Sequence, residues 1–326
     1  MKFIVVGLGS MGRRRVRLLK QISDKFEIIG VDSQKERCIQ AGKELSIQTS
    51  ESLVDVLDIY KPDGVIVSTS PLSHGRIINT CLNADCNVFT EINLVNDMYD
   101  SNILLAKEKN KILFLSSTFL YREEIEFIDK TVKQAEGLLN YNYHVGQYLP
   151  DWHPWESIND YFVGDKKTNG CRELFAIEFP WLIQAFGEID SFEVLAGKNT
   201  SLPVQYCDNY MLLISHKTGH KGVLAVDVVS RKAVRNLEIY GEKLYLTWDG
   251  SPFGLKLYDF DNKEEKHIHL YDEVDKQENY AAFVIENAYK HELETFIDQI
   301  RGQGQARYSF EEDRNVISLI DIIEAR

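Results

Sequence analysis

The residues of this 326-residue chain best suited to chemistry stand at the ends of short apolar runs. Gly7-Leu8-Gly9-Ser10-Met11-Gly12 follows the run at 3–6 and precedes RRRVRLLKQI, an expected helix. Between a strand and a helix, each glycine of G-x-G-x-x-G has a task. Gly7 makes a tight turn, Gly9 lets a pyrophosphate approach the backbone, and Gly12 lets helix and strand pack closely. Free N–H groups at the helix start attract phosphate. Gly7, Gly9, Ser10, Met11 and Gly12 are therefore candidates for holding a dinucleotide. Asp32 closes a second apolar run at 26–31. A carboxylate there accepts bonds from the adenosine ribose hydroxyls and repels a 2′-phosphate, favouring NAD over NADP. Nearby Lys35 and Arg37 pull the other way.

The apolar run at 65–67 ends in Ser68-Thr69-Ser70-Pro71, small hydroxyl residues able to line the same crevice, and His74 opens the next expected helix. Asn87-Val88-Phe89 then leads into Thr90-Glu91-Ile92-Asn93. A strand ending here aims Glu91, Ile92 and Asn93 at a ligand. Ile92 can neither give nor take a proton.

These sites need elements to hold them. Strand and helix signals alternate from residue 2 to residue 115, with fully apolar strands, as in a doubly wound parallel sheet. The length suits two domains, divided at 1–120 and 121–326. The balance of 44% hydrophobic and 27% charged residues is that of a soluble globular protein, and the net charge of −13 argues against nucleic acid and anionic membranes as partners. Five cysteines without a C-x-x-C pair suggest neither a disulfide framework nor a metal site, and a cytoplasmic setting is expected. A strand from the second residue leaves no room for a leader, and no apolar run reaches membrane-spanning length.

In order and spacing, G-L-G-S-M-G-R, Asp32, the Thr69-Ser70-Pro71 turn, His74, Glu91 and Tyr121-Arg122 resemble the Gfo/Idh/MocA oxidoreductases. The resemblance covers nearly the whole chain and is more specific in its N-terminal motifs. It implies a Rossmann domain followed by an α/β domain with a large, mostly antiparallel sheet. It also implies an NAD(P) cofactor contacted by His74 and Glu91, a sugar-like substrate, and a dimer or tetramer formed through the outer face of the second sheet. The chain departs from the family pattern at Glu-Lys-Pro, where Ile92 replaces the lysine and Asn93 the proline. It departs again at the Asp and His of the site-lining helix. There the count places Leu174 and Glu178, or Glu173 if the register shifts by one.

The second domain supplies the remaining candidates. Its expected elements are a helix at 123–134, a strand at 138–145, strands and turns across 189–270, and helices at 279–300 and 311–324, the last returning toward the Rossmann domain. Gly146-Gln147-Tyr148-Leu149-Pro150-Asp151-Trp152-His153-Pro154-Trp155-Glu156 is an aromatic, polar loop suited to a sugar. Trp152 and Trp155 could pack on sugar faces or simply order the loop. His153 and Glu178, an acid among Phe-Ala-Ile and Phe-Pro-Trp, are the candidate proton carriers. Pro180 suggests a kink in its helix. Tyr121, Arg122 and Arg172 would orient the substrate, and the two arginines suggest an anionic sugar such as a nucleotide sugar or a sialic-acid-like keto acid. The subgroup resembled is met in bacterial surface-glycan biosynthesis. Three functions stay open: an NAD-dependent sugar oxidoreductase with replaced acid/base residues, a non-redox enzyme using bound NAD transiently, and a silent NAD/sugar sensor.

Overall fold

The structure, a computed structural model, describes residues 1–326 apart from His153, Trp155, Glu156, Tyr161, residues 276–283 and the side chain of Asn159. It divides into two compact units. One comprises Met1–Thr118 with Tyr289–Asn315, the other Phe119–Ala288 with Val316–Arg326. The first unit thus takes in a late segment that a single cut at 120 assigns to the second domain.

In the first unit, β1 (Lys2–Val6), β2 (Glu27–Val31), β3 (Gln48–Ser50), β4 (Gly64–Val67), β5 (Asn87–Thr90) and β6 (Leu113–Leu115) form a parallel sheet in the order β3-β2-β1-β4-β5-β6. The order reverses between β1 and β4, which places a ligand crevice outside their C-terminal ends. α1 (Ser10–Ile22), α2 (Lys35–Leu45), α3 (Leu53–Tyr60), α4 (Pro71–Asn83) and α5 (Tyr99–Glu108) are the connections. β1, β4 and β5 are apolar and buried along almost their whole length, as strands covered on both faces must be. The three-residue β3, whose Gln-Thr-Ser carries no apolar signal, is not foreseen from sequence. The late segment joins this core through an aromatic cluster. Phe296 meets Phe89 and Phe114 edge-on, each at 5.7 Å between ring centroids.

In the second unit, α6 (Glu123–Gln134) and α7 (Gly170–Phe186) accompany an eight-stranded sheet. Its strands are β7 (Asn140–Gly146), β8 (Ile189–Gly197), β9 (Asn209–His216), β10 (Lys221–Asp227), β11 (Val234–Tyr240), β12 (Tyr245–Trp248), β13 (Lys256–Asp259) and β14 (Glu264–His267). They lie in the order β14-β13-β12-β11-β7-β10-β9-β8, and β7 with β10 is the parallel pair in an otherwise antiparallel sheet. Alternation sorts the faces. The row Leu212-Leu224-Tyr143-Leu237-Trp248 is buried, and α7 packs on that side through Tyr143–Trp181 and Phe175–Tyr210 ring contacts. The opposite face leaves Leu195, Met211 and Leu213 at 75%, 58% and 60% exposure. α7 runs unbroken through Pro180, so the expected kink does not end the helix. α8 (Glu286–Ile300) starts later than the expected 279, and residues 276–283 lie outside the described part of the chain. α9 (Phe310–Glu324) is the final helix.

Candidate cofactor site and buried charge networks

The glycine loop has the geometry its spacing calls for. Gly7 has φ +90°, and a Cβ on it would stand 2.5 Å from the Ser68 carbonyl oxygen. On Gly12 a Cβ would stand 1.7 Å from the Gly7 carbonyl oxygen. Gly9 differs: nothing lies within 4 Å of its added Cβ. This glycine is not required by internal packing, and it leaves open space beside the backbone. Gly9 also N-caps α1 without a side-chain cap, and no acidic residue stands in the first turn. The positive dipole end of α1 therefore lies at Ser10 and Met11 with no acidic side chain in its first turn. Asp32 is buried, accepting from Leu8 N at 2.8 Å and from Gln34 N at 2.9 Å, with the Arg37 guanidinium 4.0 Å from Oδ2. These residues fit a dinucleotide: a cradle for phosphates, and a fixed carboxylate at the end of β2 for ribose hydroxyls.

On the β4 and β5 side, Thr69 and Ser70 remain at the surface of the turn, with Thr69 Oγ1 bonded to Ser73 Oγ at 2.8 Å. Ser68 points the other way and donates to Glu91 Oε1 at 3.1 Å. Glu91 is not a free carboxylate. Arg15 grips both its oxygens, at 2.6 and 2.8 Å, and reaches Glu292 at 2.9 Å. Glu292 also accepts from Ser116 Oγ, Ser117 N and Thr118 Oγ1. Burial works to lower the Arg15 pKa, but the two carboxylates more than offset it and hold the guanidinium above its ordinary value. Burial pushes Glu292 up, against the pull of Arg15. Glu91 is thus part of a buried brace that fixes the end of β5.

His74 also has internal partners. It is buried, with Nε2 2.9 Å from the Thr69 carbonyl and Nδ1 2.7 Å from the Asn93 amide and 3.3 Å from Thr90 Oγ1. Burial lowers its pKa. Its two ring nitrogens face the carbonyl oxygens of Thr69 and the Asn93 side chain, so a neutral ring donates to one of them at a time, tying the loop after β4 to the loop after β5. Asn93 is buried at that tie and Ile92, half-buried, faces outward beside it.

In the second unit, four candidate ligand-binding or catalytic groups are buried. Arg122 is buried and forks onto Glu124, at 2.6 and 3.2 Å, donates to the Gly250 carbonyl, and lies over the rings of Phe119 and Trp248. Tyr271 donates to the same Glu124. Arg172 holds Asp321 and Glu324 on α9, at 2.6 and 2.5 Å. Tyr121 is buried beside Arg122 in sequence. None of these three stands as an open substrate anchor. Glu178 is fully buried: Oε1 accepts from Arg235 at 3.0 Å, and Oε2 accepts from Tyr143 at 2.8 Å and Trp181 at 2.7 Å. With both oxygens engaged, it anchors the packing of α7 on the sheet. Trp152 is half-buried and donates to the Gln147 carbonyl at 3.3 Å. His153 and Trp155 lie outside the described residues.

Glu173, open in the sequence only as an alternative register, is the carboxyl that differs. Its Oε2 is removed from solvent without a hydrogen-bond partner, and burial pushes its pKa up to about 7. The sequence signal was there: an acid in the first turn of a mostly apolar helix. Its lack of a partner is a tertiary property. Among the described residues, no group of three or more His, Cys, Asp or Glu side chains is placed to hold a metal. No described helix is long and apolar enough to cross a membrane.

Comparison with known proteins agrees with this geometry. Residues 1–117 match the model of an oxidoreductase family with an NAD-binding Rossmann fold, GFO_IDH_MocA. The chain is 24% identical to myo-inositol 2-dehydrogenase of Thermotoga maritima, over 98% of this chain and 94% of that protein. Among solved structures, UDP-N-acetylglucosamine 3-dehydrogenase from Acidithiobacillus ferrooxidans superposes with a TM-score of 0.74 at 17% identity, covering 100% of this chain and 97% of that one. Levoglucosan dehydrogenase in complex with NADH and levoglucosan gives 0.79 at 14% identity, with coverage of 100% and 96%. The open glycine cradle lies within residues 1–117, which belong to the NAD-binding Rossmann-fold oxidoreductase family GFO_IDH_MocA, and the chain as a whole is similar to dehydrogenases over nearly its full length.

Proposed function

We propose that the protein is an NAD-dependent oxidoreductase of a sugar or sugar derivative, of the nucleotide-sugar or sialic-acid-like kind, serving bacterial surface-glycan biosynthesis. The observation that carries the redox reading is the open Gly9 cradle at the start of α1, whose first turn carries no acidic residue. The sugar reading draws on the activities named for the similar proteins, dehydrogenases of myo-inositol, UDP-N-acetylglucosamine and levoglucosan. Bound in the cradle, NAD supplies a hydride acceptor. The chain's own residues do the rest. The α1 N-terminus and Gly9 hold phosphates, and Asp32 holds ribose hydroxyls and disfavours a 2′-phosphate. Trp152 and Trp155 offer ring faces to the sugar. Removal of the hydroxyl proton falls to His153 or to Glu173, whose pKa of about 7 suits a general base at neutral pH. A homodimer or homotetramer through the outer face of the eight-stranded sheet belongs to the same reading. The exposed Leu195, Met211 and Leu213 there would be covered by a second copy.

A second reading, a catalytically silent NAD/sugar sensor, has one observation in its favour: Ile92 and Leu174 offer no proton where the family pattern has lysine and aspartate. The test is absorbance at 340 nm with NAD or NADH across a panel of neutral sugars, sugar acids and nucleotide sugars, with product mass measured in the same wells. Net NADH change coupled to product is expected. Binding of NAD and a sugar without product or NADH change would replace the enzyme by the sensor.

A further inference from the structure

Arg122, Arg172 and Arg235 are each neutralised by a buried or half-buried carboxylate, and Arg231 of the same unit is not. It is exposed, lies over the Tyr148 ring at 4.1 Å from the centroid, and makes no ion pair with any described residue. Lys232, also exposed, follows it. The position is built rather than incidental. Tyr148 follows β7 and Arg231 follows β10, so both stand at the C-terminal ends of the parallel pair of the sheet. Two backbone bonds clip the loops together, from Gln147 N to the Asp227 carbonyl at 3.2 Å and from Leu149 N to the Val228 carbonyl at 3.0 Å. The Asp227 carboxylate ties the second loop through Val229 N, Ser230 N and Ser230 Oγ. Gly146 allows the closeness, since a Cβ there would stand 2.5 Å from Asp227 Oδ2 and 2.7 Å from Ser230 Oγ. Trp152 is attached to the same corner through the Gln147 carbonyl.

We propose that Arg231, stacked on Tyr148, is the specificity-determining anchor for an anionic group of the substrate, a phosphate or a carboxylate. A guanidinium with one face on a ring keeps its N–H edge for bidentate contact with two oxygens. The stack limits its rotamers, so less freedom is lost when the anion binds. In a chain of net charge −13, an unpaired Arg-Lys step beside an aromatic loop is a local exception to the overall charge. Lys232 adds long-range attraction without fixed geometry. The inference rests on the sugar oxidoreductase reading for its context, but the anion recognition is measured separately.

The experiment is calorimetric titration of the NAD-loaded full-length protein with UDP, with glucuronate and with glucose, repeated for Arg231→Ala and Arg231→Lys. The expected result is a weakening of UDP or glucuronate binding by about 10- to 100-fold in R231A. R231K should recover part of it, and NAD affinity should not change. A loss confined to UDP identifies a diphosphate-bearing substrate, and a loss confined to glucuronate a sugar acid. Equal binding of both anions by wild type and R231A overturns the proposal, as does failure of wild type to bind either. Turnover of a neutral sugar with NAD in that last case would leave the oxidoreductase standing without the anion anchor. Arg231-dependent anion binding with no redox on any sugar would do the reverse.

Discussion

Replacing Glu173 with glutamine removes a carboxyl that the folded chain holds in the wrong charge state at neutral pH. Its ordinary pKa of 4.5 is pushed to about 7 by burial, and no cation or donor offsets that cost at Oε2. The sign follows from proton counting. Between pH 4.5 and 7 the folded state keeps the proton that the unfolded state has lost, so stability falls as pH rises through this window and is flat above it. A shift of about 2.5 units corresponds to roughly 3 kcal/mol at 1.36 kcal/mol per unit. Glu173 as a whole is half-buried, so solvent screening brings the expected penalty to about 1–3 kcal/mol. Glu173→Gln carries no such penalty. Thermal unfolding at pH 5 should give nearly the same Tm for both proteins, and at pH 8 the variant should be higher, at about 2–4 °C per kcal/mol for a unit of this size. Parallel Tm profiles from pH 5 to 8 would refute the reasoning, because they would mean that Glu173 ionises in the folded chain as it does in water. Loss of turnover in the same variant, with its greater stability at pH 8, would assign it the proton-carrying role.

Three further outcomes follow from the geometry. Gly9→Ala should leave Tm unchanged but weaken NAD binding at least tenfold by titration, whereas Gly12→Ala should lower Tm outright, because its Cβ meets backbone at 1.7 Å. Asp32→Ala should raise the NADP-to-NAD affinity ratio at least tenfold, as the carboxylate disappears and Arg37, 4.0 Å from it, is freed; an unchanged ratio would remove Asp32 from cofactor choice. Glu178→Leu should cost about 3–5 kcal/mol in denaturant unfolding by stranding Arg235, and the double variant with Arg235→Met should recover much of it; the absence of recovery would show that the pair is not the source of the loss.

The parts legible in the sequence are those whose signal is local. Apolar runs of 65–67 and 87–89, the glycine spacing and the acid after the second strand can each be read in a window of a few residues, and they locate the cofactor cradle. Charged side chains were read less well, because their partners are distant or hidden by pattern. Arg172 is answered by Asp321 and Glu324, 149 and 152 positions away, and Glu178 by Arg235, 57 away. Nothing local separates such residues from open substrate anchors. Arg15 sits in RRRVR, which reads as a solvated helix face, yet it is buried between two carboxylates. Ile92 was read correctly as a residue without proton chemistry. Its neighbours explain its place: Glu91 and Asn93 turn inward to their braces, which leaves the side chain between them facing out.

The Arg15–Glu91–Glu292 brace also sets a timetable for the nascent chain. Arg15 and Glu292 are separated by 277 positions, and the whole central stretch that builds the second unit is translated between them. Until α8 has left the ribosome, Arg15 has Glu91 and Ser116 but no second carboxylate, and the sheet has no Phe296 to cover Phe89 and Phe114. At about 5–20 residues per second, the N-terminal half of the NAD unit waits tens of seconds for these groups. The order of synthesis therefore lets the central unit complete its own sheet first, while the cofactor-binding unit, begun earlier, is finished later.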